Sequence, residues 1–190
     1  MIHDRYKELF LAAEEKSRRW GLNLDRPPLT GPSGPSNASG HALAALSTIG
    51  RAVNSYPYRH EEIRVQCAAI HLSLFDDPRF DLDFELTIGD VEFDGRLEYG
   101  TDYRRLRQEI RGVHRDSEEP IPCHVWLTFP DMHIVDATFF PYRYPNELPS
   151  PWTWSEYLVC SDPDHEFSQR LPLRYVPMLV GRTAVQALVY

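Results

Sequence analysis

Only three cysteines, Cys67, Cys123 and Cys160, occur in 190 residues. They cannot all pair, and no Cys-x-x-Cys spacing is present, so neither a disulfide framework nor a thiolate zinc site is predicted. No apolar run approaches the roughly 20 residues that cross a bilayer. The charged, amphipathic opening MIHDRYKELFLAAEEKSRRW lacks the apolar segment of a secretory signal. Basic side chains are also outnumbered: 20 Lys and Arg stand against 28 Asp and Glu, a formal net charge of −8. That balance argues against nucleic acid as the main partner, because phosphate binding needs a positive surplus. The expectation is a cytoplasmic protein with no membrane segment, no metal and no cofactor. Delivery into another cell without a cleaved signal stays open, and the oligomeric state is not set.

What is present suits one folded unit. Residues 3–20 place Tyr6, Leu9, Phe10 and Ala13 at helical spacing. A Pro-, Gly- and Ser-rich connector follows, NLDRPPLTGPSGPSNASG, which excludes regular structure. Ala38, Ala42, Ala45, Leu46, Ile49 and Val53 then describe a second helix. The segment EIRVQCAAIHLSLF, rich in β-branched and apolar residues, reads as a buried strand, and FDLDFELTI alternates as a half-exposed one. VEFDGRLEYG suggests a hairpin turning at Asp94-Gly95. Residues 102–112 return to helical spacing. Two strands are predicted around 123–129 and 132–138, joined at Pro130-Asp131, and a last strand and closing helix end the chain. The class is α+β, N-terminal helices packed on an antiparallel sheet, in a single domain over 1–190. Its parts are an N-terminal helix and connector (1–35), a central region (36–140) and an aromatic, Pro-rich loop with the closing strand and helix (141–190).

The chemistry-bearing stretch is IPCHVWLTFPDMHIVDAT, residues 121–138. In a hairpin turning at Pro130-Asp131, positions summing to about 260 face each other, which sets Asp136 across from His124 on one sheet face. Trp126 and Thr128 share that face, where Trp126 can shield the pair from water. A carboxylate beside an imidazole fixes its tautomer and stabilises its charged form, as an acid–base pair requires. The same layout also serves as a plain stabilising cross-strand pair.

HVWLTFPDMHIVDAT resembles the His–Asp signature of the transglutaminase-like, papain-like thiol enzymes. In those proteins His-x-Trp precedes a strand ending in Asp-x-Thr, as His124, Trp126, Asp136 and Thr138 stand here. The resemblance covers residues 36–54 and 121–140. It implies an upstream cysteine at a helix start, often as Asn-Cys, with a small residue four positions on. A helix N-terminus lowers a thiol's pKa and offers free N–H groups to an oxyanion.

Aligning Ala42 with that small residue puts the nucleophile position at Ala38, behind Asn37, so the motif stands without its reactive atom. Three readings compete: a catalytic cysteine replaced by alanine, a naturally inactive relative acting as a protein- or peptide-binding module, and a shifted alignment in which Ser39 serves. The first would suit a toxin or effector tamed for its producer.

In active form the resemblance implies a cysteine-dependent amide hydrolase acting on a protein or peptide, whether peptidase, amidase or deamidase. His124 would move the proton, Asp136 would orient it, and Asn37, Ser39 and Trp126 would line the oxyanion and substrate side. Transamidation would share the same acyl-enzyme.

Other candidates have plainer readings. Cys67 is expected as a small buried hydrophobe in mid-strand. Cys123 should point away from His124, since neighbours on a strand face opposite ways. Cys160 is read as half-exposed. His133 should face away from His124, which breaks a metal cluster, and DPDHEF at 162–167 reads as a solvated loop. Tyr142, Tyr144, Trp152 and Trp154 either wall a cleft or anchor their loop.

Overall fold

Tyr6, Phe10, Ala13 and Ser17 recur at helical spacing, and they form the buried face of α1 (Ile2–Arg19). The computed structural model describes residues 2–22, 24, 63–77, 84–112, 123–130, 132–139, 159–161 and 173–189. The helix expected over Ala38–Val53, the connector before it apart from Leu24, the 141–156 loop and the 162–167 run lie outside the described residues.

The segment expected as a buried strand is a helix, α2 (Ile63–Asp76). Cys67, Ile70, His71 and Leu74 are all buried, at steps of three and four that only a helix brings to one side. β-branched and apolar content had suggested a strand. Length decides otherwise: 14 residues exceed the roughly 4–8 of a buried strand, while a helix buried on most sides shows the same continuous apolar run.

The sheet is antiparallel wherever pairing is described. Its strands are β1 (Glu85–Phe93), β2 (Arg96–Leu97), β3 (His124–Thr128), β4 (Ile134–Asp136), β5 (Val159–Ser161) and β6 (Leu173–Val180). Their order is β2-β1-β3-β4-β5, with β6 also paired to β1. Asp94 and Gly95 join β1 to β2 with φ of 50° and 75°, the two positive values that suit a tight hairpin turn. α3 (Tyr103–Ile110) starts where the Asp102 carboxylate accepts the Arg105 N–H at 2.8 Å. α4 (Arg182–Val189) closes the described chain. Helices with an antiparallel sheet make the class α+β.

Both sheet faces are covered. On one, Cys67, Ile70 and Leu74 of α2 and Ala184, Val185 and Leu188 of α4 join Leu86, Ile88, Val125, Leu127 and Val135 in one apolar cluster. On the other, Tyr6, Phe10 and Ala13 of α1 join Val91, Trp126, Ile134, Tyr175 and Val180. β1 is therefore buried on both faces over Glu85–Val91, not half-exposed as its alternation suggested. Two of its polar side chains are held by partners: Thr87 meets Thr128 at 2.8 Å between hydroxyl oxygens, and Asp90 accepts the Tyr99 and Thr101 N–H groups.

Gly89 pairs with His124 in β3 and with Pro177 in β6, beside an irregularity in the β1–β6 register. A Cβ there would lie 2.1 Å from the Val176 carbonyl oxygen and 2.8 Å from the Trp126 ring. Gly89→Ala is therefore expected to destabilise the fold by about 1–3 kcal/mol through overpacking against backbone, read as a lower urea midpoint.

Candidate functional site: a thiol between parting strands

The β3–β4 hairpin turns differently from the two-residue turn expected. The Phe129 N–H bonds the His133 carbonyl, the Met132 N–H bonds the Phe129 carbonyl, and Met132 has φ of 67°. This is a three-residue loop closed by a left-handed residue. It pairs Leu127 with Val135 and Thr128 with Ile134, so opposing positions sum to 262 rather than 260. His124 and Asp136 thus sit on a diagonal, still on one face because a shift of two preserves the side-chain parity.

Hydrogen-bonded pairs alternate along such a ladder, and the next after Leu127–Val135 would be Val125 with Ala137. It does not form. β4 ends at Asp136, whose Oδ1 accepts the N–H groups of Thr138 (2.8 Å) and Phe139 (3.0 Å). A carboxylate capturing its own downstream amides turns the chain out of the ladder.

The backbone groups left over at positions 125 and 137 are buried, and each would cost about 1–3 kcal/mol unsatisfied. Two side chains from α2 enter the gap. Cys67 Sγ lies 3.4 Å from both the Val125 nitrogen and the Val125 oxygen. His71 Nε2 accepts the Ala137 N–H at 3.1 Å.

That insertion carries the sulfur from the α2 side to His124. Cys67 Sγ stands 3.4 Å from His124 Nδ1, and His124 Nε2 stands 2.6 Å from Asp136 Oδ2. Each ring nitrogen therefore faces one partner, thiol on one side and carboxylate on the other. Thr138 Oγ1 adds a contact to Sγ at 3.1 Å. Asp136 Oδ2 also accepts the Tyr175 hydroxyl at 2.8 Å.

Aromatic rings hold the imidazole from several sides. Tyr99 stacks on it at 5.1 Å between centroids, Trp126 lies at 6.1 Å and Phe139 meets it edge-on at 5.9 Å. Asp90 fixes Tyr99 by accepting its N–H at 3.1 Å and that of Thr101 at 2.8 Å. Cys67, His124 and Asp136 are 4%, 1% and 0% exposed, so these charges interact with little screening by water.

The titration behaviour follows. Burial pushes the Cys67 thiol up, but the neighbouring His124 imidazolium and its hydrogen bond outweigh this and lower it to about 6. Burial pushes the His124 imidazole down, and the Asp136 carboxylate, then the Cys67 thiolate, override it to reach about 10. Asp136 is raised by burial yet held well below the ordinary carboxylate range by the same imidazolium. Two neighbours favour a neutral thiol: the Val125 carbonyl, to which a thiolate cannot donate, and the Thr138 hydroxyl when its hydrogen goes to Asp136 Oδ1 at 3.3 Å. The buried imidazolium opposes both and leaves the thiol below its ordinary range.

His124 and Asp136 stand together as expected. Trp126 is fully buried with its indole N–H donated to the Tyr6 hydroxyl at 2.9 Å, so it shields the pair and anchors α1. Asn37, Ala38 and Ser39 lie outside the described residues. Cys67 is corrected in part: expected as a small buried hydrophobe in mid-strand, it is buried but on a helix, with its sulfur 3.4 Å from His124 Nδ1, and the signal was the Cys67, Ile70, His71, Leu74 spacing.

Cys123 is buried and pushed well above an ordinary thiol, first by that burial, which suits an inert side chain. Cys160 lies on β5, paired with Val135. Among the described residues no group of three or more His, Cys, Asp or Glu is arranged to hold a metal ion, and no helix is long and apolar enough to cross a membrane.

Comparison with protein-family models, with curated proteins and with solved structures returned no match.

Removing His124 strands a buried carboxylate. His124→Ala is expected to cost about 3 kcal/mol at neutral pH, measured by urea unfolding. Because Asp136 is depressed in the folded state, its pairing stabilises above the ordinary carboxylate range and is lost as pH falls through the folded value. The gap between variant and wild type should therefore narrow below about pH 4.

Proposed function

We propose that this chain is a cysteine-dependent acyl-transfer enzyme, hydrolysing an amide bond in a protein or peptide, with Cys67 as nucleophile. The observation that carries the reading is the line Cys67 Sγ, His124, Asp136, at 3.4 Å and 2.6 Å across the two ring nitrogens. A thiol lowered to about 6 is largely thiolate at neutral pH while its imidazole stays protonated, the state a thiol nucleophile needs.

In the proposed reaction the Cys67 thiolate attacks the carbonyl carbon, forming a C–S bond. The His124 Nδ1 proton passes to the leaving amine as the C–N bond breaks. Water then attacks the thioester, giving its proton back to His124 and releasing the acid and the thiolate. Asp136 keeps the imidazole in place throughout, itself held by Tyr175, Thr138 and Phe139. Peptidase, amidase and deamidase outcomes share these steps.

The His-x-Trp and Asp-x-Thr residues support placing the core among the transglutaminase-like, papain-like enzymes. The nucleophile moves from position 38 to Cys67, so an inactivating alanine is no longer needed to explain the chain. One departure from the family pattern stands four positions on, where a small residue is usual and His71 occurs.

Cys67 is 4% exposed, so acylation includes an opening step, and the test uses a small acyl donor. Incubation with p-nitrophenyl acetate should place one acetyl group on Cys67, seen by peptide mass mapping, with a burst of p-nitrophenol. Cys67→Ser and His124→Ala should lose the burst, and Asp136→Asn should slow it by about 10²-fold or more. Acetylation confined to other residues, or none in the folded protein, would turn the assignment to a binding module without turnover.

A further inference from the structure

The proposed mechanism makes no use of His71, although it is fully buried and lies 3.7 Å from the reactive sulfur through Nδ1. Both its nitrogens are committed. Nδ1 donates to the Cys67 carbonyl at 2.9 Å, and Nε2 accepts the Ala137 N–H at 3.1 Å. These two bonds define one neutral tautomer, with the hydrogen on Nδ1. Nε2 also lies 3.8 Å from Asp136 Oδ1, a contact that would become an ion pair only if the ring gave up the Ala137 amide.

We infer that His71 is a positioning residue for the Cys67 reaction, holding the end of β4 at a fixed distance from α2 through its acceptor bond to Ala137. Ala137 separates Asp136, which orients His124, from Thr138, whose hydroxyl lies 3.1 Å from Sγ. One backbone bond at 137 thus sets both the carboxylate and the hydroxyl relative to the sulfur. Without an acceptor at Nε2, the Ala137 N–H is a buried donor with no partner. Closure of the ladder onto Val125 would satisfy it, and would displace Sγ from between the strands. His71 is one turn along α2 from Cys67, so nucleophile and spacer move as one rigid piece.

The inference rests on Cys67 being the nucleophile, and the experiment separates the two. Thiolate absorbance in the ultraviolet, taken against Cys67→Ser to isolate this sulfur, is followed with pH in the full chain. Among the described residues, the titratable groups around it are His71 on α2, the Cys123 thiol ahead of β3, His124 on β3, Asp136 on β4, Tyr175 on β6 and the stacked Tyr99.

Two variants divide the ring's functions: His71→Gln keeps an acceptor near Nε2, and His71→Asn reaches only as far as Nδ1. His71→Asn should raise the thiolate midpoint by about one unit or more, while His71→Gln stays within about half a unit of wild type. If His71→Asn fails to fold, as circular dichroism would show, a folded His71→Gln with the wild-type midpoint supports the inference and a shifted one overturns it. A wild-type midpoint retained in His71→Asn, or equal shifts in both variants, overturns it with the nucleophile assignment intact. An ordinary thiol midpoint in the wild type removes the nucleophile assignment and this inference together.

Discussion

The site depends on a hydrogen-bond pair that does not form. β3 and β4 stay zipped through Leu127–Val135 and part at the next step, where Val125 and Ala137 would have bonded. Buried backbone groups at that point need partners, and the energetic penalty for leaving them bare is comparable to a sizeable share of a domain's stability. Cys67 takes the Val125 N–H and carbonyl, and His71 takes the Ala137 N–H. Tertiary packing therefore brings a sulfur within 3.4 Å of an imidazole as a consequence of mending a broken ladder.

Asp136 links the two roles. Its Oδ1 gathers the amides of Thr138 and Phe139 and thereby ends β4, while its Oδ2 holds His124 and receives the Tyr175 hydroxyl. A carboxylate with this many donors is strongly favoured in its charged form. The imidazolium that accompanies it is favoured in turn, and that positive charge outweighs burial at the Cys67 thiol. The sequence of causes runs from a chain turn to an ionised carboxylate, to a protonated imidazole, to a thiol held below its ordinary pKa. Burial opposes each charge by removing water, and the same exclusion of water strengthens the attraction between them enough to override it.

The aromatic shell has a related task. Tyr99 and Trp126 keep the ring of His124 from turning, and each is itself held, Tyr99 through Asp90 and Trp126 through Tyr6. Gly89, opposite His124, leaves the space that Trp126 occupies. The α1 helix, far from the site in sequence, thus supports it through one hydroxyl.

Much of this was legible in the residues alone. The α+β class, the Asp94-Gly95 turn, the helices at Tyr103–Ile110 and Arg182–Val189, and the pairing of His124 with Asp136 all follow from local periodicity and turn chemistry. Those signals act over a few residues, where a chain's own geometry governs. The helix in EIRVQCAAIHLSLF was legible only through its length and the Cys67, Ile70, His71, Leu74 spacing, because an apolar run buried on most sides otherwise looks alike in both forms. Tertiary contacts alone decided the rest. The two-residue slip of the hairpin came from a left-handed Met132, which no composition signals. The partner of His124 lay 57 residues away, and contacts at that separation are set by how elements pack, not by any spacing written along the chain.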